Sequence, residues 1–426
     1  MQYHIEMNIL MNKAKNYLKN REHIIDVIIV IIIFMLPFYG VRISFLGIPT
    51  NIIEILTICA VIISIFFGTI QSSHLKREKQ LLFGAFLMCL GVFIATIYGD
   101  QIRTGFGVLK GWFIIPILFA LVVWMRGIKD RSTLTIYLWI YFASAISVSL
   151  IALSYYVSGD VTYDGRLRGF YASPNYLALY ISSAVFFIFY LKELNSRWRV
   201  VVISGIVIVV GALYLTNSFG AWIAIIGSSI IMLFLMKSKH KYYFFTVLFI
   251  GIALITLQIN GQKIKDLRTV PERSSVASRI MIWESALMIG QDHLVFGITP
   301  NTFQEQYLRY QEYFPPYLEW AVPQPHNLYL AFWLESGIIG LSGFLMIIWW
   351  FYRQMLLFSK KNATAAFLVA SMTSILLYGL VDTPYWKNDL AFLFLLLIGI
   401  SAALNFHLQL QHSHQYQVDT DDHHDD

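Results

Sequence analysis

The sequence predicts an all-α fold, a polytopic membrane bundle of about twelve transmembrane helices with a large extracytoplasmic loop that holds short helices of its own. Three observations carry this expectation. Hydrophobic residues make up 57% of the 426 and charged residues only 13%, with a mean hydropathy of +0.62, too few charges to cover a soluble surface of that size. Apolar runs long enough to cross a bilayer recur along the whole chain. The basic residues cluster in alternate connections, as the positive-inside rule requires of a multi-span protein. A membrane β-barrel would instead need short alternating strands.

The spans are expected near residues 24–40, 48–70, 80–98, 105–125, 133–157, 173–191, 199–215, 219–236, 242–258, 327–351, 363–381 and 388–406. The N-terminal segment 1–23 carries Lys13, Lys15, Lys19 and Arg21, and the even-numbered connections carry three basic residues each, from Lys76, Arg77 and Lys79 to Arg353, Lys360 and Lys361. Together these are nineteen of the 31 Lys and Arg residues. Both termini are therefore expected in the cytoplasm and the loop of about 259–325 outside. The net charge of +6 follows from this topology and implies no nucleic-acid partner. No small-residue cleavage site follows the basic start, so it reads as an uncleaved first helix. Cys59 and Cys89 fall inside spans and read as packing residues. The membrane domain covers 24–406, and the tail 407–426, alternating His with Asp, reads as disordered and cytoplasmic.

Two outer elaborations interrupt the spans. The first is a Gly-bounded turn through Gly165, Arg166, Leu167, Arg168 and Gly169, running into Pro174 and Asn175. In the second, the large loop, Ser274, Ser275 and Ser278 can cap a helix that continues through Arg279, Trp283 and Glu284. Apolar side chains lie almost all round that helix, which predicts that it is largely buried, with Arg279 partly dehydrated.

His326 is the leading candidate for chemistry. Pro323 and Pro325 stiffen its approach and disfavour helix before it, so it should stand at the start of the tenth span. The positive end of that helix favours a neutral imidazole able to accept a proton. Arg166, Arg168 and Arg279 lie on the outer side, where topology gives no reason to collect cations, and guanidinium forks match phosphate oxygens. Arg168, Asn175, Asn327 and Glu335 are the candidates for binding substrate around them. Glu335 lies nine residues from His326, about half a turn out of alignment and about 13 Å further along a helix, so the two have separate duties. Ser336, Gly340 and Gly343 share one face and permit close helix contact. No zinc spacing, phosphate-cradling glycine loop or nucleophilic Ser or Cys arrangement occurs in the sequence. The loop tyrosines and Trp320 suit interface anchoring or stacking on sugars.

Four ordered pieces over about 160–400 resemble the O-antigen ligase and polymerase superfamily of bacterial envelope glycosyltransferases. They are Arg166–Gly169 leading to Pro174-Asn175, Asn217-Ser218-Phe219-Gly220-Ala221-Trp222, Ser278-Arg279 through Trp283 followed by His293–Phe303, and Pro325-His326-Asn327 through Gly340. Phe219 departs from the pattern, standing where the family often has Arg.

The resemblance implies a glycan transferase with no metal, cofactor or nucleotide sugar. Its donor would be a glycan on undecaprenyl diphosphate and its acceptor a hydroxyl of a glycan or lipid-linked molecule, met at the outer face of the bacterial cytoplasmic membrane, with membrane lipid around it. It implies catalytic roles for His326, Arg279 and Arg166. Ligase and polymerase differ only in acceptor, and the sequence leaves both open. A secondary transporter also fits twelve spans, but transporters tend to repeat their halves and to carry ionisable groups at mid-membrane.

Overall fold

The computed structural model describes residues 23–45, 48–235, 241–258, 275–314, 322–359 and 362–421. The basic N-terminal residues, Lys237, Lys239, Lys360, Lys361, Asp266, Glu272, Tyr317, Trp320 and the last five residues lie outside these segments. The chain is a helical bundle. In order it forms α1 (His23–Phe38), β1 (Arg42–Phe45), β2 (Ile48–Asn51), α2 (Ile52–Phe66) and α3 (Lys79–Tyr98). Next come α4 (Ile102–Lys129), α5 (Ser132–Val157), α6 (Pro174–Lys192), α7 (Ser196–Leu215), α8 (Phe219–Leu235) and α9 (Lys241–Gln258). The outer helices α10 (Ser275–Asp292) and α11 (Phe303–Tyr310) precede α12 (Leu328–Ser359), α13 (Ala363–Tyr378) and α14 (Asn388–Asp421). Among the described residues seven helices, α3 to α7, α12 and α14, are long and apolar enough to cross a membrane. Five shorter apolar helices, α1, α2, α8, α13 and part of α9, overlap the other expected spans.

Local chemistry accounts for many of the helix starts. Asn51, Asn195 and Asn362 cap α2, α7 and α13, each side chain accepting from a backbone N–H three residues on. Ser173 caps α6 ahead of Pro174, whose fixed φ suits the first helical turn. β1 and β2 form a small antiparallel hairpin between α1 and α2, with Arg42 opposite Asn51, which the sequence pattern did not announce.

Two ion pairs tie charges in or next to the expected spans. Lys110 Nζ meets Glu54 Oε2 at 2.7 Å, and Arg126 holds Asp26 through two bonds of 2.9 and 2.7 Å, with the Tyr137 hydroxyl donating to the same carboxylate. Within α4 the turn Leu109–Ile114 is π-helical. Pro116 has no N–H to give Trp112, and the Tyr385 hydroxyl donates to that freed carbonyl at 2.8 Å.

α3 and α12 run antiparallel in close contact through small residues. A methyl added to Gly91 would collide with backbone atoms of Gly340 and Ser336, and one added to Gly84 would meet Gly343 and Ile347. α12 is not one straight helix. Gly337 has φ +63°, which breaks the bond that Ile338 N–H would make to the Leu334 carbonyl. The outer segment before α11 takes up both loose ends: Ile298 N–H donates to Leu334 at 2.6 Å, and Ile338 N–H donates to Val295 at 3.1 Å. Irregular backbone at such a level is tolerated because protein satisfies it. α14 lies at the centre, with 89% of its apolar stretch buried.

Two expectations need correction. α10 buries one face only, through Ser278, Met281, Ile282, Ser285, Ala286 and Ile289, while Ile280 and Leu287 stay about half exposed. Its apolar residues run all round, but it packs against the bundle on a single side. The last helix continues to Asp421 instead of giving way to a disordered tail at His407. Leu408 is buried and His407 Nε2 lies 2.7 Å from the Gly127 carbonyl, so the bundle holds this part of the helix.

Gly91→Ala should destabilise the purified protein by about 1–3 kcal/mol, the range for an overpacked contact. Gly107→Ala, where an added methyl meets nothing within 4 Å, should be neutral or slightly stabilising. Thermal unfolding in detergent compares the two, and equal effects would mean that α3 and α12 are not in backbone contact.

Candidate functional site

Four consecutive residues after α13 gather three of the candidate side chains. The Gly379 carbonyl accepts from Leu328 N–H at 2.7 Å, and that of Leu380 accepts from Asn327 Nδ2 at 3.1 Å. The Val381 carbonyl accepts from Arg279 Nε at 3.0 Å. Asp382 Oδ1 lies 3.3 Å from His326 Nδ1. This connection is itself fixed. Tyr385 is tied to α4 as described, Asn388 accepts from the Trp112 indole at 2.9 Å, and the Trp386 ring packs edge-on against Trp112, Phe113 and Phe332.

His326 stands one residue before the cap of α12, after Pro325, as the prolines predict. Its φ of +47° lies in the left-handed region, uncommon for a residue with a side chain and sustained only when neighbours determine it. Gln324 supplies that restraint, donating to the Trp386 carbonyl at 2.7 Å and accepting from the Thr383 hydroxyl. The Trp283 indole on α10 donates to the His326 carbonyl at 3.4 Å. The imidazole is 31% exposed and Asp382 only 2%. A carboxylate beside Nδ1 selects the tautomer with hydrogen there and leaves the Nε2 lone pair available. Burial opposes the Asp382 charge, but His326 and Arg279 outweigh it and hold the carboxyl below the usual aspartate range.

Arg166 comes from the connection between α5 and α6. Its Nε donates at 2.8 Å to the carbonyl of Thr216, at the end of α7, where helix carbonyls lack internal partners and carry partial negative charge. Its NH2 donates at 2.8 Å to Asn175 Oδ1. Asn217, φ +52°, ends α7 in the left-handed conformation. Ser218 then meets the Tyr378 hydroxyl at 2.6 Å. Arg166 is 14% exposed. Burial lowers its pKa below the ordinary guanidinium value, Asp164 works against that, and Arg279 is near enough to push the same way as burial.

The structure sets Arg279 and His326 on the adjacent residues Val381 and Asp382, and Arg166, bonded to Asn175, lies close enough to Arg279 for their charges to interact. It does not bring the other three candidates in. Arg168 turns outward, 40% exposed, to Asp160 at 3.2 Å. Asn327 caps α12, its Oδ1 accepting from the Tyr329 and Leu330 N–H groups at 3.0 Å each, so its amide is engaged by the fold. Glu335 is 1% exposed and accepts from the Asn301 N–H at 2.9 Å, tying the outer segment to α12. Sequence reasoning missed Asp382. A signal was present: Asp382, Lys387 and Asp389 crowd into eight positions of a chain with 13% charged residues.

Residues 204–345 match the model of the O-antigen ligase family. The match holds Ser218, Arg279, His326 and Glu335; Arg166 precedes it and Asp382 follows it. No curated protein matches the chain.

Asp382→Asn should lower stability by about 1–3 kcal/mol, since it removes the charge that His326 and Arg279 share. A carboxylate with a depressed folded pKa contributes fully above its unfolded value of about 3.9, and the contribution disappears as pH falls through the lower folded value. The deficit should therefore persist across roughly pH 5–8 in thermal unfolding and close only in stronger acid. A deficit that vanishes by about pH 6 would contradict the assignment.

Proposed function

From the match to the O-antigen ligase family model over residues 204–345, we propose that this chain is a membrane glycosyltransferase that moves a glycan from undecaprenyl diphosphate to an acceptor hydroxyl at the outer face of the cytoplasmic membrane. One observation carries the reading. Arg279 and His326 are held by the adjacent residues Val381 and Asp382, with Arg166 close enough to Arg279 for their charges to interact. Arg166 and Arg279 hold the donor diphosphate and stabilise the charge it gains on leaving. His326 Nε2 takes the proton from the acceptor hydroxyl as its oxygen attacks the anomeric carbon. The bond from that carbon to the diphosphate oxygen breaks with its electron pair on oxygen. Attack on the face opposite the leaving group inverts the anomeric centre. Asn175 and Asp382 act through Arg166 and His326 and are positioning residues.

Topology supports the outer location. With α3 and α12 antiparallel, His326 lies at the Tyr98 end of α3, opposite Lys76, Arg77 and Lys79, and the positive-inside rule assigns that basic end to the cytoplasm. Twelve crossings with both termini inside follow if the five shorter apolar helices span with the seven longer ones. Glu54 and Lys110 are tied to one another instead of lining a path, which favours an enzyme over a transporter.

The test uses purified protein in lipid, given a lipid-diphosphate glycan and an acceptor. His326→Ala should lower kcat/KM by about 100-fold or more, and Arg279→Ala by a comparable factor. Both variants should keep the wild-type elution profile and come within a few degrees of its Tm. Wild-type turnover in well-folded His326→Ala would remove the mechanism. Loss of the protein in cells separates the acceptor classes: unattached long lipid-linked chains indicate a ligase, single repeats a polymerase.

A further inference from the structure

Beside the site lies a second polar cluster to which the mechanism above gives no role. Lys387 shares its connection with Asp382. Its Nζ is enclosed by the rings of Tyr176 at 3.8 Å, Tyr171 at 4.6 Å and Tyr39 at 5.1 Å. Cation–π attraction holds the ammonium there, yet it makes no hydrogen bond among the described residues. The same holds for the buried Tyr171 hydroxyl and for both oxygens of Asp389, which is 1% exposed. The Tyr171 hydroxyl faces Asp389 closely enough for the two to interact, the backbone N–H groups of Asp389 and Leu390 lie near the same carboxylate, and Tyr176 lies close to both Asp382 and Asp389. Burial lowers the pKa of Lys387, with Asp389 and Asp382 opposing. Lys387 and Asp389 thus influence each other without closing into an ion pair.

Buried polar groups without partners are costly and call for an occupant. The chemistry narrows what fits. A phosphate would satisfy the ammonium but meet two carboxylates, and a cation would do the reverse. An apolar group would leave both unsatisfied. A hydroxyl fits, because its oxygen accepts from Nζ while its hydrogen is donated to the carboxylate. Tyr176 follows Asn175, the residue that holds Arg166, so the cluster borders the proposed diphosphate site.

We propose that Lys387 and Asp389 clamp one hydroxyl of a sugar ring bound next to the diphosphate, which makes Lys387 a residue that selects the saccharide. The inference rests on the transferase reading for the identity of its ligand. The ring belongs to either donor or acceptor, and the two sources are distinguishable.

The experiment compares wild type, Lys387→Met, Asp389→Asn and Arg279→Ala in lipid nanodiscs. It measures KM for donor and acceptor separately, and binding of two probes, undecaprenyl diphosphate without sugar and the same lipid bearing its glycan. Lys387→Met should raise one KM about tenfold, as expected for losing one hydrogen bond to a charged group, and leave kcat within a few-fold. A donor-side clamp weakens the glycan-bearing probe and spares the sugar-free one, whereas Arg279→Ala weakens both; an acceptor-side clamp moves only the acceptor KM. Asp389→Asn keeps the shape of the cluster and should follow Lys387→Met. Equal loss on both probes in Lys387→Met would make the ammonium a diphosphate contact and overturn the clamp. So would unchanged KM values and binding with a lowered Tm in both cluster variants, the signature of a trapped water. A wild type that transfers nothing but binds the glycan probe in a Lys387-dependent way sinks the transferase reading and keeps the clamp.

Discussion

Three backbone carbonyls and one carboxylate in a row, Gly379 to Asp382, constrain everything around the candidate site. They accept from the first N–H of α12, from the residue that caps it, from an arginine on α10 and from the imidazole between those elements. Carbonyls just past a helix end lack internal partners, and the end of α13 offers its own to neighbours that need them. A displacement of this connection would disturb α10, the start of α12 and the Asp382–His326 pair together. The anchors beneath it, Tyr385 on the carbonyl freed by Pro116 and Trp386 among Trp112, Phe113 and Phe332, keep it from moving.

The close approach of α3 and α12 and the break at Gly337 follow from the same economy of backbone groups. Glycines let the two helices touch through main chain, where dispersion and weak polar contacts replace the hydrophobic drive that lipid cannot supply. Where α12 breaks, the outer segment supplies one donor and one acceptor in place of the lost helical bond. Glu335 adds a third tie through Asn301. An acid that the sequence marks as conspicuous thus serves to fasten the outer segment to the bundle, as does the cap formed by Asn327.

Much of the architecture was legible in the chain. Apolar run lengths marked the helices that are long and apolar enough to cross a membrane, and Pro325 stopped helix ahead of His326. The small hairpin after α1 was not legible, because its strands are short and lack a clear alternation. The one-sided burial of α10 was not legible either, since its apolar residues occur on every face and only the neighbours decide which face is covered. Among the candidate side chains, Arg166, Arg279 and His326 stood out by type and side, whereas Arg168 resembled Arg166 until its contact with Asp160 separated them.

By itself the sequence determined that this is a multi-span helical protein with arginines and a histidine in two particular segments, because hydropathy, charge and proline restriction belong to each residue wherever it goes. Only the tertiary structure decided that His326 faces Asp382, 56 positions away, and that Arg279 rests on Val381, 102 positions away. It also set Lys387 among three tyrosine rings. Such pairings depend on where helix ends come to lie relative to one another, and that is a property of packing which no single stretch of chain encodes.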